Sequence, residues 1–160
     1  MMTSATTRPH GVQAPDVSII KPHFNTPAEF FDACVESILT QEGCNLEWII
    51  ADDGSAPEFL ARIHACASQD RRVTVLECPH QGASAARNRA LEQAHSTYVT
   101  FVDADDRLLP GILEQLLSHA TQTQVDVLYS YLDLDHGSHT VAPRLHGPDA
   151  LVEIGPELIA

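Results

Sequence analysis

Two short acidic stretches carry the clearest chemical signal in this sequence: Asp52-Asp53-Gly54-Ser55 and Asp103-Ala104-Asp105-Asp106. Carboxylates gathered in one cleft repel one another unless a cation or hydrogen-bond donors compensate them. In extended chain, residues two apart project to the same side, so Asp103 and Asp105 can face one ligand together. Hard carboxylate oxygens suit Mg²⁺ or Mn²⁺, ions that complete their shells with substrate phosphate oxygens and water. Each stretch also has a plainer reading. Asp-Asp-Gly-Ser is good turn sequence with a helix cap, and Asp106 can cap a following helix. The chemical reading gains weight because both stretches follow directly on strand-like segments.

Those segments are apolar, rich in β-branched residues and evenly spaced, at 17–20, 46–51, 73–76, 98–102 and 125–129. Stripes of helical period lie between them. Phe30, Phe31, Cys34, Val35, Ile38 and Leu39 form one; Phe59, Leu60 and Ile63 begin a second; Leu109, Ile112, Leu113, Leu116 and Leu117 form a third. Residues 26–29 (Thr-Pro-Ala-Glu) and 55–58 (Ser-Ala-Pro-Glu) both read as capping boxes with proline at the first helical position. The alternation predicts an α/β fold, a Rossmann-like, mostly parallel sheet with helices on both faces.

Ligands of such sheets bind beyond the carboxyl ends of the strands. Pro22-His23-Phe24-Asn25 follows the first strand, and the two acidic stretches follow the second and fourth. Between them, Gly82 opens a helix rich in small residues. Its free N–H groups, with Arg87, could meet a diphosphate; equally, Arg87 and Arg89 could be surface charges on an ordinary alanine-rich helix.

The overall charge sharpens this. With 22 acidic against 9 basic residues, the chain has a formal net charge of −13, which argues against a nucleic-acid partner. An anionic ligand must therefore be met by local devices. At 160 residues the sequence is one domain long, and no apolar run approaches a membrane span. We expect a loose tail at 1–15, an α/β domain at 16–135, and a further C-terminal segment at 136–160. The N-terminus lacks the layout of a signal peptide, so a cytoplasmic location is expected, compatible with association at the inner face of the membrane. Cys34, Cys44, Cys66 and Cys78 form no C-x-x-C pair and read as reduced thiols. The nine histidines lack ligand spacing; only His23 falls in the expected pocket.

Rival α/β enzymes fit less well. A dinucleotide-binding domain needs G-x-G-x-x-G after its first strand, where this chain has Pro22-His23-Phe24-Asn25. A sugar nucleotidyltransferase would bring a glycine-rich basic loop to the same place. A receiver domain would put its acidic pair after the first strand and a lysine after the fifth.

The ordered set Val-Ser-Ile-Ile-Lys-Pro-His-Phe-Asn at 17–25, Trp-Ile-Ile-Ala-Asp-Asp-Gly-Ser at 48–55, Gly-Ala-Ser-Ala-Ala-Arg-Asn at 82–88 and Tyr-Val-Thr-Phe-Val-Asp-Ala-Asp-Asp at 98–106 resembles glycosyltransferase family 2. The resemblance implies a glycosyltransferase A (nucleotide-diphospho-sugar transferase) fold, truncated at the C-terminal side, with 16–135 as the nucleotide-sugar-binding domain and 136–160 as the start of an incomplete acceptor-side region. It implies transfer of a sugar from a nucleoside diphosphate sugar, a UDP-sugar by preference, to an acceptor hydroxyl with inversion. The acceptor, a glycan, lipid-linked or protein group, stays open, as does pairing with a second copy or with domains of a parent chain. Pro22, His23, Phe24 and Asn25 would line the nucleotide pocket, and Asp53, with Asp52, would face the base. Arg87 would lie near the nucleotide or its phosphates, Asp103 would approach the ribose and metal region, and Gly82 and Ala104 would also belong to the nucleotide-sugar site. Asp105 would be the main ligand of Mn²⁺ or Mg²⁺ with Asp103 beside it, and Asp106 would serve the sugar side. Two positions depart from the family pattern. Lys21 stands where an aliphatic residue is usual and must snorkel or find a carboxylate, and His95 stands where glycine is common. The resemblance also calls for an Asp or Glu as general base; Asp133, Asp135, Asp149 and Glu153 are among the carboxylates after Asp106, none is in a convincing setting, and the base is expected to be absent from this chain. The second reading is a nucleotide- or nucleotide-sugar-binding domain without turnover.

Overall fold

The computed structural model describes residues 14–125 and 127–128. Strand and helix alternate through β1 (Val17–His23), α1 (Ala28–Leu39), β2 (Leu46–Asp52), α2 (Pro57–Gln69), β3 (Val73–Glu77), α3 (Ala83–Leu91), β4 (Tyr98–Phe101) and α4 (Ile112–Thr123). The strands form one parallel sheet in the order β3-β2-β1-β4, the α/β architecture expected. The chain divides into two compact units, 1–114 and 115–160, and the whole sheet belongs to the first.

Every residue of β1 is buried, as an interior strand covered on both faces requires. Side chains alternate between those faces. Towards α1 point Ile19, Lys21 and His23, and α1 answers with Phe31, Cys34 and Ile38, all buried. The His23 ring meets Phe31 edge-on at 5.4 Å, and Phe31 stacks on Trp48 at 6.5 Å. On the other face Ile20, Ile49 and Ala51 pack with Cys78 and with Ala86 and Ala90 of α3. Small side chains four apart on α3 let it lie close to the sheet.

An ion pair of 3.2 Å between Asp32 and Arg62 joins α1 to α2. Right-handed crossovers explain the arrangement. The chain steps one way from β1 to β3, placing α1 and α2 together, then returns to β4 with α3 on the opposite face. Strand order therefore reverses between β1 and β4, which opens a crevice at their carboxyl ends.

The capping boxes are not formed. The N-cap residues are Pro27 for α1 and Ala56 for α2, with Pro57 at the start of α2, and neither helix has a side-chain cap. The two loops cap each other instead. The Asn25 amide donates to Ser55 Oγ at 2.9 Å, while Asn25 Oδ1 accepts from the Ala56 amide at 2.8 Å. Thr26 Oγ1 is buried without a partner among the described residues. Asn25 takes a left-handed backbone, φ 46°, a conformation asparagine tolerates better than most residues. Of the expected fifth strand, Val125, Val127 and Leu128 lie in no strand, and 126 and 129 fall outside the described residues, as do the 136–160 segment and nearly all of the 1–15 tail. Among the described residues, no helix is long and apolar enough to cross a membrane.

Candidate functional site

A cleft of about 280 Å³ lies in that crevice, lined by Pro22, His23, Phe24, Asp53, Ala83, Arg87, Asp103, Ala104 and Asp105. It unites the ends of β1, β2 and β4 with the first turns of α3. Asn25, Asp52, Gly82 and Asp106 do not line it. A larger concavity of about 420 Å³ between β3 and α3 contains none of the expected site residues. Its wall mixes Glu77, Glu92 and Arg89 with Leu76, Cys78 and Gln93.

At the end of β2 both carboxylates are almost wholly buried, Asp52 at 2% and Asp53 at 3% exposure. Asp52 Oδ2 accepts from the amides of Gly54 (3.2 Å) and Ser55 (3.0 Å), closing its own turn. Gly54 has φ 82°, a left-handed backbone that favours glycine, and a Cβ there would sit tightly, 3.2 Å from His80 Cβ. Asp53 reaches across to the loop before α3: Oδ1 accepts from the Gln81 amide at 2.8 Å, and Oδ2 from the Gly82 amide at 2.9 Å. The same Oδ2 lies 2.9 Å from His80 Nδ1. Burial alone would raise the Asp53 carboxyl, but the two amides and the His80 ring outweigh it and hold it below the usual range. Asp53 thus fixes where α3 begins. The Gly82 amide is consumed by that bond, leaving the amides of residues 83–85 as the open donors of the helix start.

The end of β4 is built differently. Asp103, Asp105 and Asp106 are exposed. The strand stops at Phe101, and the acidic stretch is a turn in which the Asp106 amide donates to the Asp103 carbonyl at 3.2 Å. The extended-chain argument for Asp103 and Asp105 is therefore corrected: both reach the cleft, but from a turn. Asp103 Oδ1 pairs with the Arg87 guanidinium across the cleft. Burial first, then Asp103 and Asp105, push the Asp106 carboxyl above its ordinary value.

Lys21 neither snorkels nor meets a carboxylate directly. Its Nζ donates to the Asp103 carbonyl at 3.1 Å and to Cys34 Sγ at 3.4 Å. His23, 2% exposed, has no partner for either ring nitrogen among the described residues. Burial, assisted by Lys21 and opposed by Asp52, lowers it to about 4, so its ring is neutral near pH 7. His95 sits ahead of β4, its amide bonded to Glu47 Oε1 at 2.7 Å.

His80 was not foreseen. It stacks on Phe24 with centroids 4.5 Å apart and braces Asp53, yet as one of nine single histidines only its place before Gly82 marked it. Ala83, also unforeseen, lines the cleft because a small residue there leaves room beside Arg87.

No set of three or more His, Cys, Asp or Glu side chains among the described residues is placed to cage an ion. Asp105, exposed on the cleft, offers carboxylate oxygens of the kind a hard cation takes beside phosphate and water. The donor chemistry fits Mg²⁺ or Mn²⁺.

The sequence profile of Glycosyl transferase family 2 matches residues 18–144. A relative from Escherichia coli K12, the uncharacterized glycosyltransferase YibD, is 39% identical over 111 residues, 69% of this chain and 32% of YibD. The GalNAc(5)-diNAcBac-PP-undecaprenol beta-1,3-glucosyltransferase of Campylobacter jejuni is 32% identical, covering 68% of this chain and 35% of its own. The crystal structure of Staphylococcus aureus TarS 1-349 in complex with UDP superposes with a TM-score of 0.55 at 22% identity, over 68% of this chain and 33% of that one. At that identity the likeness speaks for the fold. The chain spans about a third of the length of YibD.

Proposed function

The chain belongs to glycosyl transferase family 2, and from that premise we propose that it is the donor-binding part of a glycosyltransferase that uses a nucleoside diphosphate sugar. The observation that carries this is the cleft at the strand-order reversal, where Phe24, Arg87 and Asp105 reach one cavity from three elements. A UDP-sugar is the favoured donor, and the UDP held by TarS, a protein of like fold, supports that choice.

In this reading Phe24, stacked on His80, offers the base a flat apolar face. The free amides at the start of α3 and the Arg87 guanidinium receive the diphosphate. Asp53 acts indirectly: with its oxygens committed to amides and to His80, it sets the helix start rather than reading the base. Asp105, with Asp103, would hold Mn²⁺ or Mg²⁺, which when bound stabilises negative charge on the leaving diphosphate. Transfer forms a bond from an acceptor oxygen to the anomeric carbon, with inversion, as the bond to the diphosphate breaks. The acceptor proton passes to a base that the described residues do not supply. The acceptor itself follows the wider protein; relatives named for undecaprenol-linked and O-antigen synthesis suggest a glycan or lipid-linked hydroxyl.

A second reading, nucleotide binding without turnover, is favoured by the Arg87–Asp103 ion pair, which engages one of the two carboxylates proposed for the cation. Titration calorimetry with UDP, with and without Mn²⁺, beside a UDP-sugar hydrolysis assay separates the two. Cation-dependent binding with slow hydrolysis supports the donor-site reading with transfer chemistry. Binding without any turnover leaves the second reading, and no binding under either condition removes both.

A further inference from the structure

The chain has one lysine, and that lysine is in the interior. Lysine is normally spent on the surface, and an ammonium taken out of water is costly unless hydrogen bonds and opposite charge offset the loss. Lys21 is fully buried at 0% exposure on an interior strand. Its surroundings say what it is for. The β1–β4 ladder ends at Ile20 and Phe101, extended by the Val102 amide to the Ile20 carbonyl at 3.0 Å. Beyond that point the two backbones share no further bond. The next link is made by a side chain: Lys21 Nζ donates to the Asp103 carbonyl at 3.1 Å. That carbonyl also accepts the Asp106 amide that closes the acidic turn. Burial draws the Lys21 ammonium down, opposed by Cys34 and by the charges of Asp103 and Asp105.

We infer that Lys21 is a positioning residue, tying the Asp103 carbonyl to the end of β1 and so holding the acidic turn in the shape that presents Asp103 and Asp105 to the cleft. The inference deepens the donor-site reading and rests on it for its effect on ligand binding, though not for its effect on the turn. It also explains a departure from the family pattern, since an aliphatic residue at this place could make no such tie.

The test uses Lys21→Met, which keeps length and apolar character but removes the donor. Hydrogen exchange at the amides of Ala104, Asp105 and Asp106 is expected to quicken about tenfold, the loss of one such bond, while the β3 amides keep their rates. The affinity for UDP with Mn²⁺ is expected to fall by about the same factor. Unchanged exchange at the turn, faster exchange throughout the sheet, or UDP affinity that holds or rises would each overturn the inference. If the wild-type chain binds no UDP, the donor reading fails, and the exchange comparison alone still decides the role of Lys21. If Lys21→Met does not fold, the wild-type chain decides the matter. With ¹⁵N-lysine it gives one side-chain ammonium signal, expected to exchange slowly with water; a rapidly exchanging ammonium, acetylated like a free amine, would refute the tie.

Discussion

The carboxyl ends of β2 and β4 flank β1 and carry the same residue type, yet the two ends use it in opposite ways. Asp52 and Asp53 are buried and turned upon the backbone, one closing its own turn and the other holding the loop before α3. Asp103, Asp105 and Asp106 are exposed, and Asp105 is left to whatever enters the cleft. The first pair braces backbone around the site, whereas the second group exposes carboxylates, two of which line the cleft. Aspartate at a strand end is thus not one signal but two, separated by what its oxygens already accept.

The difference can be broken deliberately. Asp105→Asn should leave thermal stability near wild type but weaken Mn²⁺-dependent UDP binding at least about 100-fold, roughly 3 kcal/mol, by calorimetry. A small loss there would mean the cation is held elsewhere. Asp53→Asn should behave in reverse, lowering unfolding stability by about 2 kcal/mol through its unsatisfied amides, as denaturant titration will read. Its pH signature is separate. A carboxyl held low in the folded state stabilises above about pH 4 and loses that contribution as pH falls through its folded value, so the variant should lack that acid-side decline.

His23 sharpens the contrast, because it lies between the two ends and is buried neutral. Its folded value of about 4 lies below the unfolded one, so the unfolded chain takes up the proton first as the solution is acidified. Stability should then fall by about 1 kcal/mol from pH 6 to pH 5, and His23→Leu should flatten that slope. The smallest effect belongs to Ser55→Ala. Removing one acceptor for the Asn25 amide should cost about 1 kcal/mol and leave UDP binding within a few-fold.

Much of this was legible in the residues. β-branched runs alternating with helical stripes gave the sheet its four described strands, and the position of each loop followed from them. Cleft membership was readable for Pro22, His23, Phe24, Asp53, Arg87, Asp103, Ala104 and Asp105 because strand ends converge in this topology. Hydrogen-bond direction was not readable. Local spacing at Thr26 and Ser55 promised caps within one loop, whereas the structure satisfies the Ala56 amide from Asn25, more than thirty residues away in sequence. That the amides of residues 54, 55, 81 and 82 point at Asp52 and Asp53 could not be seen in the sequence, because two of those donors come from a loop nearly thirty residues away. Lys21 defied the aliphatic pattern for the same reason: its acceptor, the Asp103 carbonyl, is distant in the chain.

The mutual capping of the β1–α1 and β2–α2 loops bears on engineering. Each borrows a polar group from the other, so neither is an independent module. Grafting the 22–27 loop from a relative to change donor preference should fail unless residues 52–57 travel with it, since a lone transplant strands the Ala56 amide or the Asn25 amide. Specificity at this cleft is inherited in pairs of loops.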